Sequence, residues 1–368
     1  MVSASFVLSF NVAAASALVP AVAQTFGVDE FFAGKIIWLY MLSYGLGALI
    51  YGPLAKGANY KKILFLSLGF FSLANLTAGI APNIYLLFSA RILAGISGSA
   101  IIPLSLILLA QTTEAQERGK RVGGFFSLTF ISSLLGLFLS GLIFWRWIFL
   151  LPAFAGILVC LGIYFYFPEL TVEKKKIKFN YFQVLSDKKI FRLFVYIFLI
   201  SFIYHGIRQW LGVYFSTIYG LEQFLISMLL TTISLSGIFG ESLGGVLADR
   251  LGRIKVVNIG VSLMLATLIS LLFKNALFFL FIIMFVWGLG WTFNHAGIST
   301  FLTDLPHQHL YESASLNSSV RFISGGLGAV LGGVLAQRGF NLGFMFFGFC
   351  LLMLLLLNKK LILREAKR

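Results

Sequence analysis

The sequence predicts an all-α polytopic membrane protein, with twelve transmembrane helices arranged as two pseudo-symmetric six-helix bundles. Three observations carry that reading. The chain is 59% hydrophobic and 11% charged, with a mean hydropathy of +0.94, whereas soluble domains carry roughly a quarter charged residues. Apolar runs of about 20 residues, long enough to cross a bilayer, recur along the sequence. The two halves also repeat one another when displaced by 192 or 193 positions.

Reading between charged or Pro/Gly breaks, the spans fall at 3–25, 32–55, 62–81, 85–111, 121–144 and 147–167. A second set follows at 191–216, 224–248, 255–273, 275–302, 313–336 and 341–358. Lipid offers no hydrogen-bond partners, so runs of this length are helices. The first run lacks a basic leader and precedes eleven more, so it is read as a span and not as a cleavable signal peptide. The domain boundaries that follow are residues 1–168 for the first bundle, 169–190 for a basic linker and 191–368 for the second bundle.

The formal net charge of +15 could point to nucleic acid, but its placement argues otherwise. Of 28 Lys and Arg, 21 lie in alternate loops and at the C-terminus; Lys35, Arg146, Lys274 and Arg338 occupy the other loops, and Arg91, Arg208 and Arg321 lie inside spans. This positive-inside pattern places both termini and the linker in the cytoplasm of a cell (inner) membrane protein. The excess charge then meets anionic lipid headgroups, and no nucleic-acid partner is expected. Cys160 and Cys350 lie within spans and give no reason to expect a disulfide or a metal. No cofactor is expected, and the chain is read as a monomer.

The repeat is specific in its register. A shift of 193 lays "GVDEF" (27–31) on "GLEQF" (220–224), Gly52-Pro-Leu-Ala on Gly245-Val-Leu-Ala, and Gly95 on Gly288. A shift of 192 lays Gly136 and Gly141 on Gly328 and Gly333. Duplicated bundles of parallel topology are common in transporters, which hold substrate at the midplane between the halves.

Within the second half, Gly245-x-Leu247-Ala248-Asp249-Arg250-x-Gly252-Arg253-x-Lys255 resembles the signature loop of the major facilitator superfamily. Arg91-x-x-x-Gly95-x-x-Gly98 looks like the family's fourth-helix motif, and "WRWIFLLPA" (145–153) and "LVPAVAQTFGV" (18–28) resemble its drug:proton antiporter branch. That branch carries Gly-Pro-x-x-Gly-Gly in its fifth helix. Here the stretch reads Gly136-Leu-Phe-Leu-Ser140-Gly141, and its repeat Gly328-Ala-Val-Leu-Gly332-Gly333, both without Pro. Glycines allow close helix approach, but the kinking device is missing.

The resemblance implies a conformational latch. Asp249 would face the start of the fifth helix near Arg118, Lys120 and Arg121, where exposed amides and the helix dipole favour an anion. The alternative is that these are topology charges in a tight turn. In the first-half copy, "YGPLAKGANYKK" (51–62), Lys56 stands where the family has Asp, while Glu312 opens the eleventh helix. Either Lys56 and Glu312 form a swapped pair, or Lys56 only adds positive-inside charge.

Charges inside spans are functional candidates. Ser201, His205, Arg208, Gln209 and Gly212 share one stripe of the seventh helix, with Tyr204 adding aromatic surface. Asn294 and His295 lie beside Trp287 and Trp291 in the tenth, and Asn317 and Arg321 share a stripe of the eleventh. Asn11 and Arg91 join the lining by family analogy. Each has a packing alternative. For proton coupling the candidates are His205 and Glu241, the one carboxylate inside a predicted span; Glu241 could instead serve the latch.

No phosphate-binding loop or metal-ligand cluster stands out, so an enzyme is not expected. The leading reading is an alternating-access secondary transporter that exports small amphipathic or drug-like compounds in exchange for protons. The alternative is uptake or exchange of a small organic anion by a symporter, exchanger or facilitator.

Overall fold

A computed structural model describes residues 2–55, 59–168, 180–303 and 310–361. Among the described residues, seventeen helices run in chain order: α1 (Val2–Ala14), α2 (Val19–Phe26), α3 (Glu30–Ala33), α4 (Lys35–Ala55), α5 (Tyr60–Ile80), α6 (Ile84–Gly98), α7 (Ile101–Thr112), α8 (Ala115–Ser140) and α9 (Trp147–Tyr166). Then come α10 (Tyr181–Ser186), α11 (Lys188–Arg208), α12 (Leu211–Tyr219), α13 (Gln223–Leu251), α14 (Arg253–Leu271), α15 (Leu277–Thr303), α16 (Leu310–Arg338) and α17 (Phe340–Leu361). Among the described residues, ten helical segments are long and apolar enough to span a membrane alone; α1 with α2 forms an eleventh, bent by 69°. The twelfth is α8, of which Gly124–Ser140 is the described apolar part.

Breaks inside the first, second, fourth and seventh spans were not foreseen; those of the second and fourth fall at Gly34 and at Ser99–Ala100. The first span interrupts at Ala15–Leu18, where Pro20 sits in the first turn of α2, a position that tolerates its missing N–H. The seventh span interrupts at Gln209 and Trp210 without a proline. There Trp210 Nε1 donates to Ala329 O at 2.7 Å, and the indole lies against Gly34 and Gly333. A shift of 193 superposes Ser16 on Gln209, so the breaks of the first and seventh spans are repeat-related. The seventh span also begins before the expected residue 191, because Asp187 caps α11 by accepting from Lys189 N at 2.7 Å and Ile190 N at 3.3 Å.

The repeat register is written into the packing. A Cβ on Gly95 would meet Tyr40 O at 2.5 Å, and one on Gly288 would meet Ile233 O at 2.4 Å. A Cβ on Gly136 would meet Phe10 O at 2.1 Å, and one on Gly328 would meet Phe202 O at 2.1 Å. Each contact and its repeat obey the same displacement, so equivalent helices pack through equivalent glycines: α4 on α6 as α13 on α15, and α1 on α8 as α11 on α16. This is small-residue packing, in which backbones approach where lipid supplies no hydrophobic drive.

The bundles meet along α4 with α16 and α8 with α13. At the end carrying the basic loops, Gln111 Nε2 donates to Tyr311 Oη at 2.7 Å. At the opposite end, Ser140 and Ser227 hydroxyls lie 3.0 Å apart, Gln223 Nε2 donates to Ala17 O at 2.9 Å, and Ser216 Oγ donates to Glu30 Oε1 at 3.2 Å. The linker helix α10 is clipped to the first bundle by Tyr181, whose hydroxyl donates to Leu49 O at 2.5 Å.

Burial pushes the Tyr181 phenol up to about 12, with Ser315 opposing and Glu312 adding to the rise. A phenol raised in the folded state contributes fully below its unfolded value and loses that contribution as pH climbs through about 12. Tyr181→Phe is therefore expected to cost about 1 kcal/mol at neutral pH. Thermal melting of the variant beside the parent checks this, and the difference should shrink only above about pH 10.

Candidate transport cavity

A cavity of about 290 Å³ lies between the bundles. Its walls come from α1, α4, α7 and α8 on one side and α11, α13, α15 and α16 on the other. Tyr204 stacks on Trp291 with ring centroids 3.9 Å apart, and Tyr44 stacks on Phe322 at 3.9 Å across the bundle interface. Phe126 and Phe130 add the α8 wall. Large aromatic surface with a few placed polar groups is the usual make-up of a small-molecule site.

The polar groups sit mainly on the second bundle. Arg208 Nη1 donates to Ser16 Oγ at 3.0 Å, from the break of one bundle to the break of the other. Gln209 Nε2 lies 3.1 Å from His205 Nδ1. Arg321 Nε donates to Asn317 Oδ1 at 2.9 Å, while its Nη2 is buried without a partner among the described residues. His295 Nδ1 lies 2.6 Å from Glu241 Oε1, with both side chains largely buried.

The sequence-predicted residues thus divide. Tyr204, His205, Arg208, Gln209, Trp291, His295 and Arg321 line the cavity. Asn11 and Arg91 do not: Arg91 Nη1 donates to Asn11 Oδ1 at 2.6 Å, its Nε donates to Ile36 O at 2.9 Å, and its guanidinium lies 4.3 Å from the Tyr40 ring. This network binds α1, α4 and α6 together within the first bundle. Trp287 stacks behind Tyr204 at 5.5 Å. Asn294 accepts from Tyr196 Oη at 2.6 Å and donates to Val257 O at 3.2 Å, so its amide is used within the second bundle. The two coupling candidates are separate groups, since Glu241 pairs with His295 while His205 faces Gln209. Tyr44, Phe126, Phe130, Ser133 and Phe322 also line the cavity and were missed. The signal of the three phenylalanines is weak, because 40 of the 368 residues are phenylalanine.

The residues expected to form the latch, where they are described, lie at the basic end. Gly252, at φ 89° and ψ 143°, is the one-residue turn between α13 and α14; this backbone suits glycine because it has no Cβ. Gly245 lies within α13 facing open space. Asp249 and Arg250 are exposed in the last turn of that helix, and Arg253 opens α14. Arg118 and Lys120 belong to α8, but their side chains lie outside the described residues, as does Lys56 altogether. Glu312 is buried in the first turn of α16. The end of α4 abuts it, because a Cβ on Gly52 would meet Tyr311 O at 2.6 Å.

The swapped pair therefore stays a proposal with a direct test. Lys56→Glu and Glu312→Lys are each expected to lower transport about tenfold, equivalent to 1.4 kcal/mol, and the double variant to recover most of it. Absence of rescue in the double variant contradicts the pairing.

Comparison with known proteins agrees with this architecture. Residues 1–329 match the Major Facilitator Superfamily, and the chain belongs to that family. It is 22% identical over 345 residues to the uncharacterised MFS-type transporter YbcL of Bacillus subtilis, covering 91% of this chain and 87% of the relative. It is 29% identical over 154 residues to multidrug resistance protein 3 of the same organism, covering 40% of this chain and 30% of that protein. Among solved structures, the xylose transporter XylE from E. coli in a partially occluded inward-open conformation superposes with a TM-score of 0.79 at 13% identity, covering 100% of this chain and 97% of that one. The human organic anion transporter MFSD10 gives 0.78 at 14%, covering 97% and 98%. At these identities the structures establish the fold alone.

Proposed function

We propose that this protein is a proton-coupled secondary transporter that carries small amphipathic compounds through the cavity between its bundles by alternating access. The observation that carries this reading is the Glu241–His295 pair at 2.6 Å, in which His295 lines a cavity that both bundles share and Glu241 holds it from behind. A carboxylate and an imidazole in hydrogen-bond contact can hold one proton between them. A group of this kind couples transport when its access alternates between the two sides. The aromatic wall supplies the amphipathic selectivity.

A second reading, export by proton exchange, is favoured by the drug-resistance name of the partial relative from Bacillus subtilis. The missing prolines in the Gly136 and Gly328 stretches weigh against exchange as the mode. With the basic loops taken as cytoplasmic, the basic end is the inner face.

Purified protein in liposomes, given an imposed pH gradient and a panel of amphipathic compounds, tests the proposal. At least one compound is expected to accumulate beyond its equilibrium level while the gradient lasts. Equilibration without accumulation would leave a channel-like facilitator.

A further inference from the structure

We infer that the cargo is an organic anion, held by Arg208 and Arg321, and that it binds together with the proton on the Glu241–His295 pair instead of competing with it. The inference rests on the reading of the cavity as the cargo site. The cavity wall holds two guanidiniums and, among the described residues, no carboxylate within ion-pair reach of either. Arg208 spends one nitrogen on the Ser16 hydroxyl, a neutral acceptor. Arg321 is anchored at Nε by Asn317, and its Nη2 is left buried and unsatisfied among the described residues. An unsatisfied buried cationic donor is costly, and a carboxylate, sulfonate or phosphate is the ligand that a guanidinium fork fits. The stacked Tyr204 and Trp291 rings lie beside it, with Arg321 Cζ 6.0 Å from the Trp291 centroid. The site therefore takes an aromatic or otherwise flat apolar body bearing one anionic head.

The sign of the proton linkage follows from charge. Arg321 lies within electrostatic reach of Glu241. While the Glu241–His295 pair carries its negative charge, part of the Arg321 field is offset. A proton taken up by the pair cancels that charge and leaves both guanidiniums facing the cavity. The other charged or titratable groups around the pair are Tyr44 from α4, Tyr204, His205 and Arg208 from α11 on the wall, and Tyr196 behind it. Among the described residues, α8, α12 and α14 present no ionisable side chain to this wall. A proton thus strengthens anion binding, and by reciprocity the anion strengthens proton binding. A monovalent anion and a proton cross as a neutral pair, which is co-transport. A cationic cargo would instead compete with the proton and produce exchange.

Three naphthalene probes of fixed charge make the test: naphthalenesulfonate, naphthyltrimethylammonium and neutral naphthylmethanol. Binding is read by titration of the purified protein, with a melting curve confirming that each variant is folded. Naphthalenesulfonate is expected to bind best and to tighten about tenfold between about pH 7.5 and about pH 5.5. Glu241→Gln removes the pair's negative charge, so it should bind the sulfonate at about pH 7.5 about as tightly as the parent does at about pH 5.5. Arg321→Gln should lose at least about tenfold in sulfonate affinity at either pH, and Arg321→Lys should recover part of it. Sulfonate binding that weakens on acidification, or preference for the cation, overturns the inference. If the cation or the neutral probe is carried with a Glu241-dependent pH drive, the transport reading stands and the anion inference falls. If no probe binds and none is carried, both fall together.

Discussion

In proteoliposomes, Glu241→Gln is expected to abolish accumulation driven by a pH gradient while leaving downhill exchange of cargo intact. The reason is local. Gln cannot take up a proton, and its amide can still hydrogen-bond His295 Nδ1, which in the parent lies 2.6 Å from Glu241 Oε1. The packing of α13 on α15 is therefore kept while the shared proton is lost. The drop in gradient-driven uptake should reach at least about tenfold, each factor of ten being worth 1.4 kcal/mol of coupling. His295→Gln should act in the same direction. His205→Gln is expected to alter cargo affinity and leave the coupling in place, because His205 faces Gln209 and not Glu241. Gradient-driven uptake that survives in Glu241→Gln removes this residue as the coupling site.

The second large effect concerns stability. Gly328→Val is expected to destabilise the second bundle by about 3 kcal/mol or more, at the upper end of overpacking costs. Any Cβ at this position falls 2.1 Å from Phe202 O, and the obstacle is backbone, which cannot rotate away. The repeat-related Gly136→Val should cost a similar amount, since its Cβ would fall 2.1 Å from Phe10 O. Gly245→Val, at a helical position facing open space, serves as the contrast and should change the melting temperature little. Thermal melting of the three purified variants checks the order. Equal behaviour of Gly328→Val and Gly245→Val would show that the close approach is not required.

Much of the fold was readable because bilayer length and small-residue spacing act directly on sequence. The displacement of 193 that aligned Gly95 with Gly288 also describes which carbonyls those glycines touch, Tyr40 and Ile233. The breaks of the first and seventh spans were not readable. Only Pro20 marks one of them, and the other is set by Trp210 wedging between Gly34 and Gly333, a contact among three helices. The site was half readable. The polar stripe of α11 identified His205, Arg208 and Gln209, because polar residues at helical spacing in an apolar span turn away from lipid. The pairing of Glu241 with His295 was not readable, since the two residues are 54 positions apart on different helices and no periodicity links them. Arg91 and Asn11, placed in the lining only by family analogy, take their packing alternative. Each is polar within a span, yet each satisfies the other inside the first bundle.

The central claim is that cargo and proton meet in one cavity, and the proton flux itself tests it most directly. Proteoliposomes in a weakly buffered medium, with no imposed gradient, are given naphthalenesulfonate while the external pH is recorded. The account predicts that the medium turns alkaline as the sulfonate enters, and that Glu241→Gln abolishes the pH change without abolishing exchange of sulfonate. Sulfonate entry with no accompanying proton movement in the parent protein would contradict it.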